Sequence, residues 1–131
     1  MTENGQTRKG PIRLLLVDDE EGYVHVLANR LAKRNIDATK TYSGQQAIQA
    51  LRRADFDVAV LDLKMEDMDG IEVLKILKKM DPRLEVIMLT GHGSEQAARD
   101  GMRSGAFDYL TKPCELEELL KKIHEAAKLR G

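Results

Sequence analysis

Residues 12–21 read IRLLLVDDEE, and this stretch decides how the rest of the chain is interpreted. Residues 12–17 form a short, nearly continuous apolar run, and the chain then turns abruptly acidic at Asp18. A run of this length, rich in leucine, isoleucine and valine, is typical of a strand that is buried on both faces. The stretch therefore predicts a central strand whose carboxyl end is acidic.

The same kind of apolar run recurs along the chain, and segments with helical spacing follow each one. The runs predict strands at residues 12–17, 36–42, 58–61, 84–89 and 107–110. Apolar residues spaced three or four apart predict helices in the intervals and over residues 115–129. Ser43, followed three residues later by Gln46, predicts a capped helix start. Gly101, inside the helix at 94–104, costs ~1 kcal/mol relative to alanine.

Five strand-then-helix units in succession predict an α/β fold, a doubly wound and mostly parallel sheet with helices on both faces. In such sheets, ligands bind outside the carboxyl ends of the strands. The residues that directly follow or end the strands are Asp18, Asp19, Asp62, Thr90 and Lys112. We therefore expect these side chains to converge on one edge of the sheet.

Composition narrows the class of protein. The chain has 131 residues, with 21 Lys and Arg against 22 Asp and Glu, so electrostatic binding to nucleic acid or to a membrane surface is not expected. One cysteine excludes an intrachain disulfide and suits a reducing compartment. No apolar run approaches the ~20 residues of a membrane span, and residues 1–10 lack the apolar core of a signal peptide. We expect a cytoplasmic domain over residues 11–131 behind a disordered tail at 1–10.

The residue types at the sheet edge suit phosphoryl chemistry. Crowded carboxylates repel one another, so a hard cation such as Mg²⁺ would relieve the cluster. Lys112 can neutralise part of the charge and donate to a phosphoryl group, and Thr90 offers a hydroxyl donor. A carboxylate can also act as the nucleophile and become an aspartyl phosphate.

Several longer motifs accompany these residues. They are LLVDDE at 15–20, LDLKM at 61–65, MDG at 68–70, LTG at 89–91 and GAFDYLTKP at 105–113. With these motifs in this order, the sequence resembles the receiver domains of bacterial two-component response regulators, the CheY-like family, over about residues 12–127. This resemblance implies a flavodoxin-like (βα)5 fold with strand order 2-1-3-4-5.

The resemblance also implies roles for the acids. Asp62 matches the aspartate that accepts the phosphoryl group. Asp19 matches a direct Mg²⁺ ligand, Asp18 a partner that acts through water, and the backbone carbonyl of Lys64 a further ligand.

For the switch, the resemblance implies that Thr90 is the hydroxyl and Tyr109 the aromatic residue. Lys112 matches the phosphate-contacting lysine, and Pro113 the cis-proline that follows it. Phosphorylation would rearrange the surface of the helix from Ser94, the strand at 107–110 and the helix from Glu115. The implied partners are a sensor histidine kinase or phosphotransfer protein and a downstream output domain or protein. The resemblance leaves a phosphorylation-linked homodimer open.

Two residues depart from the family pattern. Glu66 stands where the family usually has proline, which we expect to loosen the loop after the third strand and to add negative charge beside the metal. Cys114 stands where phenylalanine is frequent, which we expect to leave the start of the last helix less tightly packed.

Other interpretations of the same residues stay open at this point. The acids near Asp18 also suit a helix N-terminus, Lys112 alone suits a solvated lysine, and Tyr109 suits plain core packing.

A phosphohydrolase with an aspartate nucleophile would need a second acid and usually a cap, for which the chain has no spare segment. An adaptor that works without phosphorylation tends to lack part of the acid, threonine and lysine set, which is complete here. The sequence does not decide the kinase, the output, or whether the receiver stands alone or is part of a longer regulator.

Overall fold

The computed structural model describes residues 10–91 and 93–130. Residues 1–9 of the predicted tail lie outside the described part of the chain. The strands are β1 (Ile12–Val17), β2 (Ile36–Thr41), β3 (Val58–Asp62), β4 (Glu85–Thr90) and β5 (Asp108–Thr111). The helices are α1 (Glu21–Ala32), α2 (Gly44–Arg53), α3 (Gly70–Met80), α4 (Glu95–Arg103) and α5 (Leu116–Arg130). The predicted alternation is confirmed, with ends that differ by one or two residues.

The five strands form one parallel sheet in the order β2-β1-β3-β4-β5, which confirms the flavodoxin-like fold. The order reverses between β1 and β3, so a crevice opens beyond their carboxyl ends. The register pairs Asp62 with Leu89, the residue before Thr90, and pairs Thr90 with Thr111, the residue before Lys112. The functional candidates therefore lie within two positions of one another along that edge.

Two apolar clusters, one on each face, explain why the strand runs are almost continuously apolar. In β1, Leu14 and Leu16 pack in one cluster with α1 and α5, whereas Leu15 and Val17 pack in the other with α2 and α3. Each fully buried leucine stabilises the fold by about 1.5–3 kcal/mol relative to an exposed one. The two-sided burial therefore fixes the sheet that carries the site. Within the described residues, no helix is both long and apolar enough to cross a bilayer.

The start of α2 shows the predicted cap with one difference. The Ser43 hydroxyl accepts a hydrogen bond from the Gln46 backbone N–H at 3.0 Å. The Gln46 side chain, however, accepts from the backbone N–H of Tyr42 at 2.8 Å, one residue before the position that a capping box uses.

Gly101 has a packing reason that the sequence did not reveal. It is buried within α4, and a Cβ atom there would overlap the sulfur of Met88 in β4. The glycine therefore lets α4 lie close against the sheet, which offsets its unfavourable helix propensity.

Candidate functional site

Asp18, Asp62 and Lys112 meet at the carboxyl edge of the sheet, as predicted. Asp18 follows β1 and is 0% exposed, and Asp62 ends β3 and is 6% exposed. Lys112 follows β5, and its backbone N–H donates to the Thr90 carbonyl at 2.6 Å. These residues become neighbours because adjacent parallel strands all end at this edge.

The ammonium group of Lys112 holds the acids together. Its Nζ lies 2.9 Å from Asp18 Oδ2, 2.8 Å from Glu20 Oε1 and 3.9 Å from Asp62 Oδ2. The same Nζ lies 4.6 Å from the centroid of the Tyr23 ring, a cation–π contact. Lys112 is therefore a paired lysine rather than a freely solvated one. The peptide bond between Lys112 and Pro113 is cis, the isomer that the resemblance implied.

Burial and neighbouring charges shift the pKa values of Asp62 and Lys112. Burial, together with the nearby Asp18 carboxylate, raises the pKa of Asp62 to about 6, even though the Lys64 N–H and the Lys112 ammonium act to lower it. The Lys64 N–H donates to Asp62 Oδ1 at 3.1 Å. Burial would lower the pKa of Lys112, but its hydrogen bonds to Glu20 and Asp18 outweigh burial and raise that pKa. Asp62 thus ionises with difficulty mainly because it is buried, whereas Lys112 stays charged because acids surround its ammonium group.

The acids form a cluster that could hold a metal ion. Oxygen atoms of Asp18, Glu20 and Asp62 lie within 4.8 Å of one another. Carboxylate oxygens are the donors that hard divalent cations prefer, and one lysine leaves three carboxylates incompletely neutralised. The donor set therefore fits Mg²⁺ or a similar cation.

Asp19, the expected direct ligand, has a different partner. Its Oδ2 accepts a hydrogen bond from the backbone N–H of Glu66 at 3.2 Å. Among the acids that the structure describes, Asp19 does not join the cluster of Asp18, Glu20 and Asp62. Its role as a ligand, like that of the Lys64 carbonyl, stays a prediction.

The sequence did not single out Glu20 and Tyr23. Glu20 was visible as part of the acidic run, but its contact with Lys112 joins residues 92 positions apart. Tyr23 lies in the first turn of α1, and nothing in the apolar spacing of that helix marks it as a neighbour of Lys112.

The remaining predicted residues lie at or beside the edge. Thr90 is buried at the end of β4, next to the Lys112 backbone. Tyr109 is 43% exposed, so the core interpretation of this residue is wrong. Tyr109 lines a cavity of about 380 Å³, together with Ala98, Arg99 and Met102 of α4. Cys114 is partly buried against the α1 and α5 cluster, and burial raises the pKa of its thiol.

Comparisons with known proteins agree with this geometry. A sequence profile of the family described as response regulator receiver domain matches residues 14–124. The transcriptional regulatory protein GlrR of Escherichia coli strain K12 is 35% identical over 116 residues, which is 88% of this chain and 26% of GlrR. The transcriptional regulatory protein TrcR of Mycobacterium tuberculosis is 38% identical over 113 residues, which is 86% of this chain and 44% of TrcR. The chain thus spans less than half the length of these curated relatives.

A solved structure agrees in three dimensions. The receiver domain of the Francisella response regulator 1452 superposes with a TM-score of 0.82 at 32% identity, and the match covers 89% of this chain and 97% of that one. The similarity therefore extends over nearly the whole fold.

Proposed function

Because this chain belongs to the response regulator receiver domains of two-component systems, we propose that Asp62 accepts a phosphoryl group from the phosphohistidine of a sensor histidine kinase or phosphotransfer protein. The proposal covers residues 11–131. The observation that carries it is the position of Asp62, a nearly buried carboxylate at the end of a central strand, 3.9 Å from the Lys112 ammonium. A carboxylate with a fixed cation beside it is equipped to receive a phosphoryl group.

In the proposed transfer, an oxygen of Asp62 attacks phosphorus and forms the new O–P bond. The P–N bond of phosphohistidine breaks, and its electron pair stays on the imidazole nitrogen, which the donor protein reprotonates from solvent. Lys112 would then move its ammonium from Asp18 and Glu20 toward the new phosphoryl oxygens, because the phosphoryl group adds negative charge beside it. Transfer of this kind depends mainly on positioning and on charge neutralisation.

Mg²⁺ is part of this proposal. Asp18, Asp19, Asp62 and the Lys64 carbonyl would hold it, and when bound it would neutralise charge on the phosphoryl oxygens. Glu20 is a further candidate, since its carboxylate belongs to the acidic cluster.

The phosphorylated state would be a signal rather than a turnover product. The Thr90 hydroxyl would move toward the phosphoryl oxygens, and the exposed Tyr109 ring would turn into the vacated space. That change would alter the surface formed by α4, β5 and α5, which a downstream output domain or a second receiver would recognise.

A phosphorylation assay tests the proposal. The protein is incubated with acetyl phosphate, with Mg²⁺ or with EDTA, and its intact mass is followed over time. We expect wild type to gain one phosphoryl group only with Mg²⁺, and Asp62→Asn to gain none. Failure of wild type to gain phosphate would favour the adaptor interpretation, and steady release of phosphate from unrelated small esters would favour the phosphohydrolase.

A further inference from the structure

The loop between β3 and α3, residues 63–69, is fastened to two other parts of the molecule. At one point, the Glu66 backbone N–H donates to Asp19 Oδ2 at 3.2 Å. At the other, the Asp67 carboxylate accepts from the backbone N–H groups of Gly44 at 3.0 Å and Gln45 at 3.2 Å. Consecutive residues thus join the loop to the acidic edge and to the start of α2.

The anchor at Asp67 is well placed to hold the loop still. A carboxylate at a helix N-terminus is favoured by the helix dipole, and its hydrogen bonds to backbone N–H groups are charge-assisted. The helix it holds is itself fixed, because Gly44, Ala47, Ile48 and Leu51 of α2 are buried. Asp67 therefore ties the loop to a packed element of the fold.

We propose that the backbone N–H of Glu66, held in place by Asp67, positions the carboxylate of Asp19 for a divalent cation. The inference rests on the proposed function, which makes Asp19 a ligand. The hydrogen bond engages one carboxylate oxygen and leaves the other to meet the cation, and metal-binding carboxylates are commonly held by an outer hydrogen bond of this kind. A proline at position 66 has no N–H to donate. Glu66, which stands where the family usually has proline, thus supplies a hydrogen-bond donor. This hydrogen bond counters the loosening of the loop that we expect from the absence of the proline.

Two substitutions at position 66 separate the backbone N–H from the side chain. Glu66→Ala removes the negative charge but keeps the N–H, whereas Glu66→Pro removes both. Binding of Mg²⁺ alone is measured by calorimetric titration of the full chain. We expect Glu66→Pro to bind Mg²⁺ about tenfold more weakly than Glu66→Ala, the lower end of the usual effect of losing an outer hydrogen bond. Equal affinities of these two variants, or tighter binding by Glu66→Pro, would overturn the inference.

Asp67 provides an independent test. Asp67→Ala removes both hydrogen bonds to α2, whereas Asp67→Asn loses the same charge but keeps one acceptor oxygen. We expect Asp67→Ala to bind Mg²⁺ more weakly than Asp67→Asn, and to have little further effect when combined with Glu66→Pro, because both act through the same bond. If Glu66→Pro does not fold, as judged by thermal unfolding in EDTA, the Asp67 pair decides, and equal affinities in that pair refute the inference.

One control variant, Asp19→Asn, measured beside wild type, distinguishes this inference from the proposed function. Asp19→Asn tests whether Asp19 is a ligand at all, and we expect it to weaken Mg²⁺ binding more than any loop variant. If wild type shows no saturable Mg²⁺ binding, or if Asp19→Asn binds like wild type, the proposed cation site fails and this inference fails with it. If Asp19→Asn weakens binding but the two Glu66 variants bind alike, only the positioning role fails.

Discussion

Asp62 is a carboxylic acid whose surroundings resist its ionisation while its proposed chemistry requires it. Burial and the negative charge of Asp18 raise its pKa to about 6, so the side chain is mostly ionised at neutral pH but at an energetic cost to the fold. A cation at the acidic cluster would relieve that cost, which links metal binding to stability.

This cost predicts a pH-dependent stability. A carboxyl group whose folded pKa is raised from 3.8 to about 6 stabilises the fold while protonated, and that contribution is lost as pH rises through this window. In EDTA, we expect Asp62→Asn to be more stable than wild type by about 1–3 kcal/mol near neutral pH, since one pKa unit is about 1.4 kcal/mol. Near pH ~4.5 the two proteins should differ much less. Urea unfolding at both pH values measures the difference, and an advantage of Asp62→Asn that shrinks as pH rises would contradict the account.

Lys112 compensates the buried acids, and its loss should be costly. Lys112→Met keeps an unbranched side chain that is one atom shorter, but leaves Asp18 and Asp62 without their cation. We expect this change to lower the free energy of unfolding by about 3 kcal/mol in EDTA, because removing one partner leaves a buried charge without compensation. Glu20→Gln is the control, and should cost less than about 1 kcal/mol because the Glu20 side chain is exposed. Similar losses in the two variants would show that Lys112 is held mainly by its exposed partner.

At the scale of elements, the strands and helices could be predicted because their signals are local. Two-sided burial makes each strand run continuously apolar, and the spacing of apolar residues in α3 marks its inner face over a few turns. The contacts that complete the site are not local. Asp67 reaches the start of α2 and Glu20 reaches Lys112 across many intervening residues, and no short-range pattern encodes either pairing. The position of Tyr109 was also unpredictable, since the strand pattern does not tell an inward ring from an exposed one.

Gly101 gives a test of packing between α4 and the sheet. Helix propensity alone would make Gly101→Ala stabilising by ~1 kcal/mol. The overlap of the new Cβ with the Met88 sulfur should reverse the sign, and we expect a net loss of about 1–2 kcal/mol, as in other overpacked cores. Gly22→Ala in α1 is the matched control, because a Cβ there meets no atom within 4 Å and should be neutral or stabilising.

Thermal or urea unfolding of these variants decides between propensity and packing. The double variant with Met88→Ala should show a loss smaller than the sum of the single losses, because the overlap disappears when the sulfur is removed. A Gly101→Ala protein as stable as Gly22→Ala would mean that α4 moves away from β4 at no cost.

At the scale of the whole molecule, the site and the proposed output surface share one structural connection. Thr90 ends β4, and its backbone carbonyl accepts a hydrogen bond from the backbone N–H of Lys112. Tyr109 lies on β5 beside α4. In the proposed function, a phosphoryl group on Asp62 would therefore act on α4, β5 and α5 through these two neighbouring strand ends. A gap of a few kcal/mol between two states would suffice, provided that phosphorylation favours one of them.

This connection predicts that Thr90→Ala separates modification from response. The variant should still take up phosphate on Asp62, because the hydroxyl is not the nucleophile. Beryllofluoride with Mg²⁺, a phosphoryl mimic, should shift NMR signals of α4, β5 and α5 in wild type, and should shift mainly those of the acidic edge in Thr90→Ala. A mimic that leaves residues 95–120 unchanged in wild type would show that the output surface lies elsewhere.

The central claim is that Asp62, and no other acid of the cluster, carries the phosphoryl group. Borohydride reduces an aspartyl phosphate to homoserine, so peptide mapping by mass spectrometry after acetyl phosphate, Mg²⁺ and borohydride identifies the modified position directly. The account predicts homoserine at position 62 in wild type and at no position in Asp62→Asn. Homoserine at position 18 or 19, or an unmodified Asp62 in a sample whose intact mass had risen by one phosphoryl group, would contradict it.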